Sequence, residues 1–315
     1  MDVGGTKIAA AVVAEGGEII ARGYSPTEAQ AGPGAVTDNI VATIAQAISG
    51  VAPRQLSGIG IAAAGIIDSE SGRVVFSPNL PGWREVPLRD IVGERFSLPA
   101  CLGNDATLAA LGEWCFGVKK RVSDLIYITV STGIGGGIIC DGRLYTGVLG
   151  VAGEVGHMTI DVNGPRCSCG SVGCWETLAS GTALAREAVR EITGGAATAI
   201  TGLVGGDLSR VEAKVVFEAA KQGDRLAGEL ISRLGYYLGV GLTNLVNIFN
   251  PELVLVGGGV AKMGDLLLEP AKKVVRERAF ATSAGAVQIK PALLGDDSSI
   301  LGAVAFVLAH LAGGK

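Results

Sequence analysis

The sequence predicts an α/β protein of two domains. Three observations carry that expectation. Apolar strand-like runs alternate with helical periodicity in both halves. The glycine loop, strand, glycine turn and second strand that open the chain are echoed from residue 125 onward. The 315 residues also exceed what one hydrophobic core usually serves. Hydrophobic residues make up 48% of the chain and aromatics only 5%, so the core is built from small aliphatics. The 49 glycines are about twice the usual share, and they sit beside apolar runs, as turns and ligand loops do.

Taken in order, residues 8–13 and 18–21 read as a β-hairpin in which Gly16-Gly17 supplies the positive φ of the turn. Val36, Ile40, Ile44, Ala47 and Ile48 recur at helical spacing and predict a helix over 35–49. The near-continuous apolar run 56–67 has the character of a fully buried strand. Residues 100–103 form a short strand, from which Asn104 and Asp105 lead into a helix through 116. The second cycle is a strand at 125–130, a loop at 131–137, a strand at 138–140 and a turn at Asp141-Gly142. Residues 212–249 are helical, and 253–256 is a strand ending in Gly257-Gly258-Gly259. A final helix starts at 298 with Ser298 or Ser299 as its N-cap. The short charged stretch 117–123 is the expected boundary. It gives a smaller domain of 1–117 plus the C-terminal helix 298–315, and a larger domain of 118–297.

A net charge of −4 and the absence of any basic block argue against nucleic acid as a partner. The start carries no charged n-region or apolar h-region, which predicts a cytoplasmic location. Two uncharged stretches read as buried helices rather than membrane spans. Residues 234–251 contain Asn244, Asn247 and Asn250, and 298–314 is shorter than the roughly 20 residues a span needs. Cys101, Cys115 and Cys140 lie in apolar contexts and are expected as small buried hydrophobes.

Two glycine loops sit between strands, Asp2-Val3-Gly4-Gly5-Thr6-Lys7 and Ser131-Thr132-Gly133-Ile134-Gly135-Gly136-Gly137. Glycine lets the backbone approach an anion, and successive N–H groups form a nest for phosphate oxygens. The threonines add hydroxyl donors, Lys7 a countercharge, and Asp2 a carboxylate able to hold Mg²⁺ through water. Neither loop is a Walker A sequence or a dinucleotide fingerprint. Gly257-Gly258-Gly259 follows a strand and precedes a helix, which suits close contact with a nucleotide. Any one loop alone reads as a tight turn; three after buried strands point to phosphate.

His157-x₉-Cys167-x-Cys169-x₄-Cys174 supplies one imidazole and three thiolates. Four soft ligands with no open position suit a structural, tetrahedral Zn²⁺. Asp105 follows Asn104 at a strand end and opens a helix, which places it either at a domain cleft or as a simple N-cap. Glu154 precedes His157 by three residues, and Glu176 follows Cys174 by two. Carboxylates and amides accept hydrogen bonds from vicinal hydroxyls, so Asp105, Glu154 and Glu176 are candidate contacts for a polyol, with Asn79 another.

Four motifs resemble those of the ROK-family sugar kinases over essentially the whole chain: Asp2-Val-Gly-Gly-Thr-Lys7, Gly103-Asn-Asp-Ala106, Glu154-Val-Gly-His157 and Cys167-x-Cys-Gly-x-x-Gly-Cys-x-Glu176. The resemblance implies an actin-like, hexokinase-like ATPase fold of two ribonuclease H-like halves with the active site in the interdomain cleft. It implies ATP with Mg²⁺ as phosphoryl donor, a structural Zn²⁺, and a homodimer or homotetramer. Asp105 is implied as general base, and Asn79, Asn104, Asp105, Glu154, His157 and Glu176 as sugar contacts, His157 serving both metal and sugar. Asp2, Gly4, Gly5, Thr6, Lys7, Thr132, Gly133 and Gly257 to Gly259 are implied as nucleotide contacts. Glucose is the first expectation, from the segment Ser77-Pro-Asn-Leu-Pro-Gly-Trp83 and from Asn104-Asp105. N-acetylglucosamine, N-acetylmannosamine, fructose and allose remain alternatives, as do ADP and polyphosphate as donors. A sugar-sensing regulator is the non-enzyme alternative, although a loop starting at Asp2 leaves no room for the helix-turn-helix such repressors carry. The family has several strand residues ahead of that aspartate, so the first strand is expected to be cut short.

Overall fold

In this computed structural model, residues 1–313 are described; 314 and 315, the last two of the expected segment 298–315, lie outside the described residues. The strands are β1 (Asp2–Val3), β2 (Lys7–Val13), β3 (Ile19–Pro26), β4 (Ile59–Ala63), β5 (Ile66–Asp68), β6 (Arg73–Phe76), β7 (Arg84–Val86), β8 (Ala100–Asn104), β9 (Leu125–Val130), β10 (Ile134–Cys140), β11 (Arg143–Leu144), β12 (Leu253–Gly257) and β13 (Gln288–Pro291). Helices are α1 (Pro33–Ile48), α2 (Leu88–Phe96), α3 (Asp105–Gly112), α4 (Trp175–Ala179), α5 (Gly181–Thr193), α6 (Ala199–Leu203), α7 (Ala213–Lys221), α8 (Arg225–Phe249), α9 (Asp265–Arg278), α10 (Ala281–Ala286) and α11 (Ser298–Leu311). The sheets run β3-β2-β1-β4-β8, β11-β10-β9-β12-β13 and β5-β6-β7.

Contacts divide the chain into two compact units. One holds Met1–Tyr127, Gly137–Gly153 and the segment from Ala292 on; the other holds Ile128–Gly136 and Glu154–Pro291.

In the first unit, β1 pairs antiparallel with β2 and parallel with β4, and β4 pairs parallel with β8. Val3, Ile8, Ile61 and Leu102 form one core with Val36, Ile40 and Ile44 of α1 and with Leu80 and Trp83. The helical periodicity over 35–49 therefore marks the face of α1 that is buried, with Ile48 packed at its margin. A side chain at Gly23 would overlap the Thr43 carbonyl, so glycine sets how closely β3 approaches α1.

In the second unit, α8 packs along α9. Two of its glycines carry that contact, since a Cβ at Gly235 or Gly239 would lie 2.6 Å from the Leu267 or Ala271 carbonyl, while Gly241 makes room for the Trp175 ring of α4. The asparagine-bearing stretch 234–251 is thus helical and packed as far as Val246, whereas Asn247, Ile248 and Asn250 are exposed and α8 ends at Phe249. Among the described residues, no helix is long and apolar enough to cross a membrane.

The structure corrects several local expectations. The run 56–67 is not one strand: β4 ends at Ala63, Gly65 turns the chain with φ +119°, and Ile66 opens a different sheet. Residues 212–249 are two helices, split at Gly223 (φ +85°), where the Asp224 side chain caps Ala227. The last helix is preceded by Asp297, and neither serine caps it; the Ser298 hydroxyl instead bonds Glu113 at 2.7 Å. Strand β10 begins at Ile134, so Gly135 to Gly137 belong to a strand and not to the loop. Of the lone cysteines only Cys101 is buried; Cys115 is half-buried and Cys140 exposed.

Candidate active site

The first glycine loop is a tight connection between β1 and β2, closed by the Gly4 N–H donating to the Lys7 carbonyl at 3.1 Å. Thr27 reinforces it, its hydroxyl donating to the Gly4 carbonyl at 2.6 Å. Asp2 ends up at the head of this loop, in register with Ala9 and Ala62. Burial pushes its carboxyl above the usual carboxylate range, and a hydrogen bond from Ser299 partly counters that. Asn79 stands against the same loop, because a Cβ on Gly5 would lie 2.9 Å from the Asn79 Cβ. Leu80 and Trp83 are buried and anchor the Ser77–Trp83 segment, which leaves Asn79 exposed.

Asn104 ends β8 and caps α3: its side chain accepts from the Thr107 N–H at 3.0 Å and donates to the Gly65 carbonyl at 3.1 Å. A carboxamide offers two donors and two acceptor lone pairs, and these bonds use one of each. Asp105 is the first residue of α3 rather than its cap, and its Oδ1 accepts from the Ala106 N–H at 2.9 Å. The bland reading of Asp105 as the helix cap therefore passes to its neighbour.

In the second unit, the loop between β9 and β10 is tied down by the start of α5. The Gly181 N–H donates to the Ser131 carbonyl and the Thr182 hydroxyl to the Thr132 carbonyl, both at 2.8 Å. Gly258 at the end of β12 has φ +89°, and any side chain there would overlap the Val130 carbonyl. That fixes the Gly257 to Gly259 turn beside β9.

His157, Cys167, Cys169 and Cys174 converge, their donor atoms all within 4.8 Å of one another. Cys167 Sγ lies 3.6 Å from His157 Nδ1, and Cys169 Sγ 3.7 Å from Cys174 Sγ. A set this compact can hold a metal ion, with the imidazole's Nδ1 facing it. Glu176 lies in the first turn of α4, held in place by buried Trp175, whose indole N–H donates to the Tyr237 carbonyl at 2.9 Å. Glu176 Oε2 accepts from the Ile134 N–H at 2.8 Å. Desolvation raises the Glu154 carboxyl above its usual value, His157 opposes that, and Glu176 adds to it.

Thus Asp2, Gly4, Gly5, Thr6, Lys7, Asn79, Asn104 and Asp105 lie in one unit, while Thr132, Gly133, Glu154, His157, the three cysteines, Glu176 and Gly257 to Gly259 lie in the other. Sequence reasoning missed the supports: Thr27, Thr182 and Ser299. Each reaches its partner across a long stretch of chain, and no local pattern marks it.

The sequence profile described as ROK family matches residues 1–310. The chain belongs to the ROK family. It is 38% identical over 305 residues to a glucokinase of Halalkalibacterium halodurans, covering 96% of this chain and 92% of that one. It is 40% identical over 259 residues to a xylose repressor of Caldicellulosiruptor bescii, covering 82% of this chain and 64% of the repressor. Among solved structures, a ROK family glucokinase from Streptomyces griseus in complex with glucose and AMPPNP matches with a TM-score of 0.87 and 39% identity over 97% of both chains. The ROK fold is the two-domain, actin-like and hexokinase-like α/β class that the motifs predicted.

Proposed function

We propose that the protein is an ATP-dependent glucokinase that transfers the γ-phosphoryl group to the 6-hydroxyl of glucose. The observation that carries this reading is Asp105 at the head of α3, with Asn104 doing the capping. It occurs in a chain similar over 97% of its length to a kinase crystallised with glucose and AMPPNP. That similarity also favours ATP over ADP or polyphosphate as donor.

Asp105 accepts the proton of the attacking hydroxyl as its oxygen bonds to phosphorus and the bond to the ADP oxygen breaks. Asn79, Asn104, Glu154, His157 and Glu176 hold the sugar hydroxyls and fix the direction of attack, which is where most of the acceleration in phosphoryl transfer arises. The loop N–H groups at Gly4, Gly5, Thr132 and Gly133 and the hydroxyl of Thr6 bind phosphate oxygens, with Gly257 to Gly259 against the nucleoside. Asp2 and Lys7 flank them. Asp2 would hold Mg²⁺, which would supply charge neutralisation on the phosphates.

Zinc is the metal assigned to the cysteine–histidine cluster. With Zn–S near 2.3 Å and Zn–N near 2.0–2.1 Å, tetrahedral edges are about 3.8 Å for S···S and about 3.6 Å for S···N. The contacts of 3.7 and 3.6 Å fit both. Four protein ligands close the ion, so its role is to brace His157 and Glu176. With Nδ1 on the metal side, His157 keeps Nε2 for a sugar hydroxyl.

An ADP-release assay with Mg-ATP, screening glucose, N-acetylglucosamine, N-acetylmannosamine, fructose and allose, tests the assignment. Glucose is expected to give the highest kcat/KM. Asp105→Ala is expected to lose at least about 10²-fold in kcat while glucose binding persists; retained turnover would remove Asp105 from the role of base. The likeness to the xylose repressor supports one other reading, a sugar-binding regulator. Sugar binding without turnover by wild-type protein would select it. A cytoplasmic location and a homodimer or homotetramer belong to the same kinase reading, and light scattering checks the assembly.

A further inference from the structure

Ile134 opens β10, and its main chain meets both motifs assigned to the sugar. Its N–H donates to Glu176 Oε2 at 2.8 Å. Its carbonyl lies so close to Gly156, the neighbour of His157, that any side chain on Gly156 would overlap it. Gly133 is under the same restriction, because an added Cβ there would overlap Glu176 Oε2. On its other side the loop is held by the Gly181 N–H on the Ser131 carbonyl and the Thr182 hydroxyl on the Thr132 carbonyl. A loop pinned from both directions has little slack, so a displacement at Thr132 or Gly133 is passed on to the Glu176 carboxylate. The bond carrying it is a charge-assisted one, stronger than a neutral hydrogen bond.

We infer that the Ser131–Ile134 loop positions the sugar-side carboxylate Glu176, and that nucleotide and sugar binding are thermodynamically coupled through the Ile134 N–H···Glu176 bond, with Gly133 the residue that permits it. This rests on the kinase reading, which assigns Thr132 and Gly133 to phosphate and Glu176 to the sugar. Glu176 has two carboxylate oxygens. Oε2 is committed to the loop, which leaves Oε1 for a sugar hydroxyl, so the same side chain senses both ligands. Such coupling is reciprocal: sugar must strengthen nucleotide binding by the factor with which nucleotide strengthens sugar binding. Gly133 is then more than a place where phosphate approaches the backbone. It is also the position at which any other residue would push Glu176 off its bond.

Calorimetric titration with Mg-AMPPNP in the absence of any sugar tests the link. A side chain that only contacts sugar cannot alter that measurement. Glu176→Ala is expected to weaken nucleotide binding at least about fivefold. Glu176→Gln, which keeps an acceptor oxygen for the Ile134 N–H, is expected to restore most of it. Glu154→Gln, which leaves the Ile134 bond in place, is expected to weaken sugar binding without moving nucleotide affinity. Unchanged nucleotide affinity in Glu176→Ala overturns the inference. The wild-type protein gives an arm that no folding defect can confound: glucose affinity is expected to rise with Mg-AMPPNP present, and equal affinities in its presence and absence overturn the inference. Failure of the kinase reading looks different, as absence of turnover with every sugar while Glu176→Ala still loses nucleotide affinity.

Discussion

At the scale of single residues, Asp2 combines a proposed role at the phosphates with a cost in stability. Its carboxyl is desolvated, which raises its pKa in the folded protein above the ordinary value of 3.8; the Ser299 hydrogen bond recovers only part of that cost. A raised carboxyl pKa means that the native state binds more protons than the unfolded chain between the two values. Stability from this group is then full below the unfolded value and is lost as pH rises through the folded one. Asp2→Asn is therefore expected to melt at a higher temperature than wild type at pH 7 in the absence of ligands, with the gap closing near pH 4. Thermal melts across pH 4–8 check this, and the same variant is expected to lose phosphoryl transfer. The sequence shows Asp2 as a candidate because glycine and threonine follow it at once. It gives no sign of Ser299, which comes from the opposite end of the chain.

The next scale is the element, and here the cysteine–histidine loop is the most legible part of the molecule. Its four donors fall in one short segment with glycines between them, so spacing alone brings them into reach. Two isolated bridges, Thr159 to Cys174 and Arg166 to Val172, fold the loop back on itself. Desolvation and the neighbouring sulfur atoms push the Cys174 thiol up to about 12, whereas the Ser171 backbone N–H holds Cys169 below its usual value. Stripping the metal with a chelator is expected to lower the melting temperature by on the order of 10 °C and to raise KM for sugar more than it lowers kcat. Elemental analysis of the native protein is expected to give one zinc per chain. Other elements were less legible. The apolar run 56–67 hides a turn, because Gly65 between apolar neighbours resembles an interior strand glycine until its positive φ is seen. Gly302 reads as an unremarkable helix residue, yet a Cβ there would overlap the Leu108 carbonyl, so it sets how closely α11 approaches α3.

For the whole molecule, a buried acid that no motif singles out holds distant segments together. Glu113, fully buried at the end of α3, accepts from the Leu293 and Leu294 N–H groups at 3.0 and 2.9 Å and from the Ser298 hydroxyl at 2.7 Å. It fastens the lead-in to α11 to the end of α3 within the first unit. The exposed pair of Arg22 with Asp297 adds a second tie, worth little by itself. Glu113→Ala removes the acceptor of the Leu293 and Leu294 N–H groups, while the Ser298 hydroxyl keeps the Gly295 carbonyl at 2.9 Å; a backbone donor left unsatisfied costs about 1–3 kcal/mol. The variant is expected to lower the melting temperature and to speed amide exchange first over 293–311, which hydrogen exchange with mass spectrometry reads directly.

The α/β class, the glycine loops, the cysteine–histidine cluster and the acids beside it were determined by the sequence. Each depends on residues near one another along the chain, where periodicity and spacing translate directly into geometry. Only the tertiary structure decided that Asn104 and not Asp105 caps α3, that Glu176 is bonded to the loop at Ile134, and that Glu113 and Ser299 serve residues far away. Those pairings join segments whose approach is set by packing of the sheets and helices between them, so no local pattern in the chain encodes them.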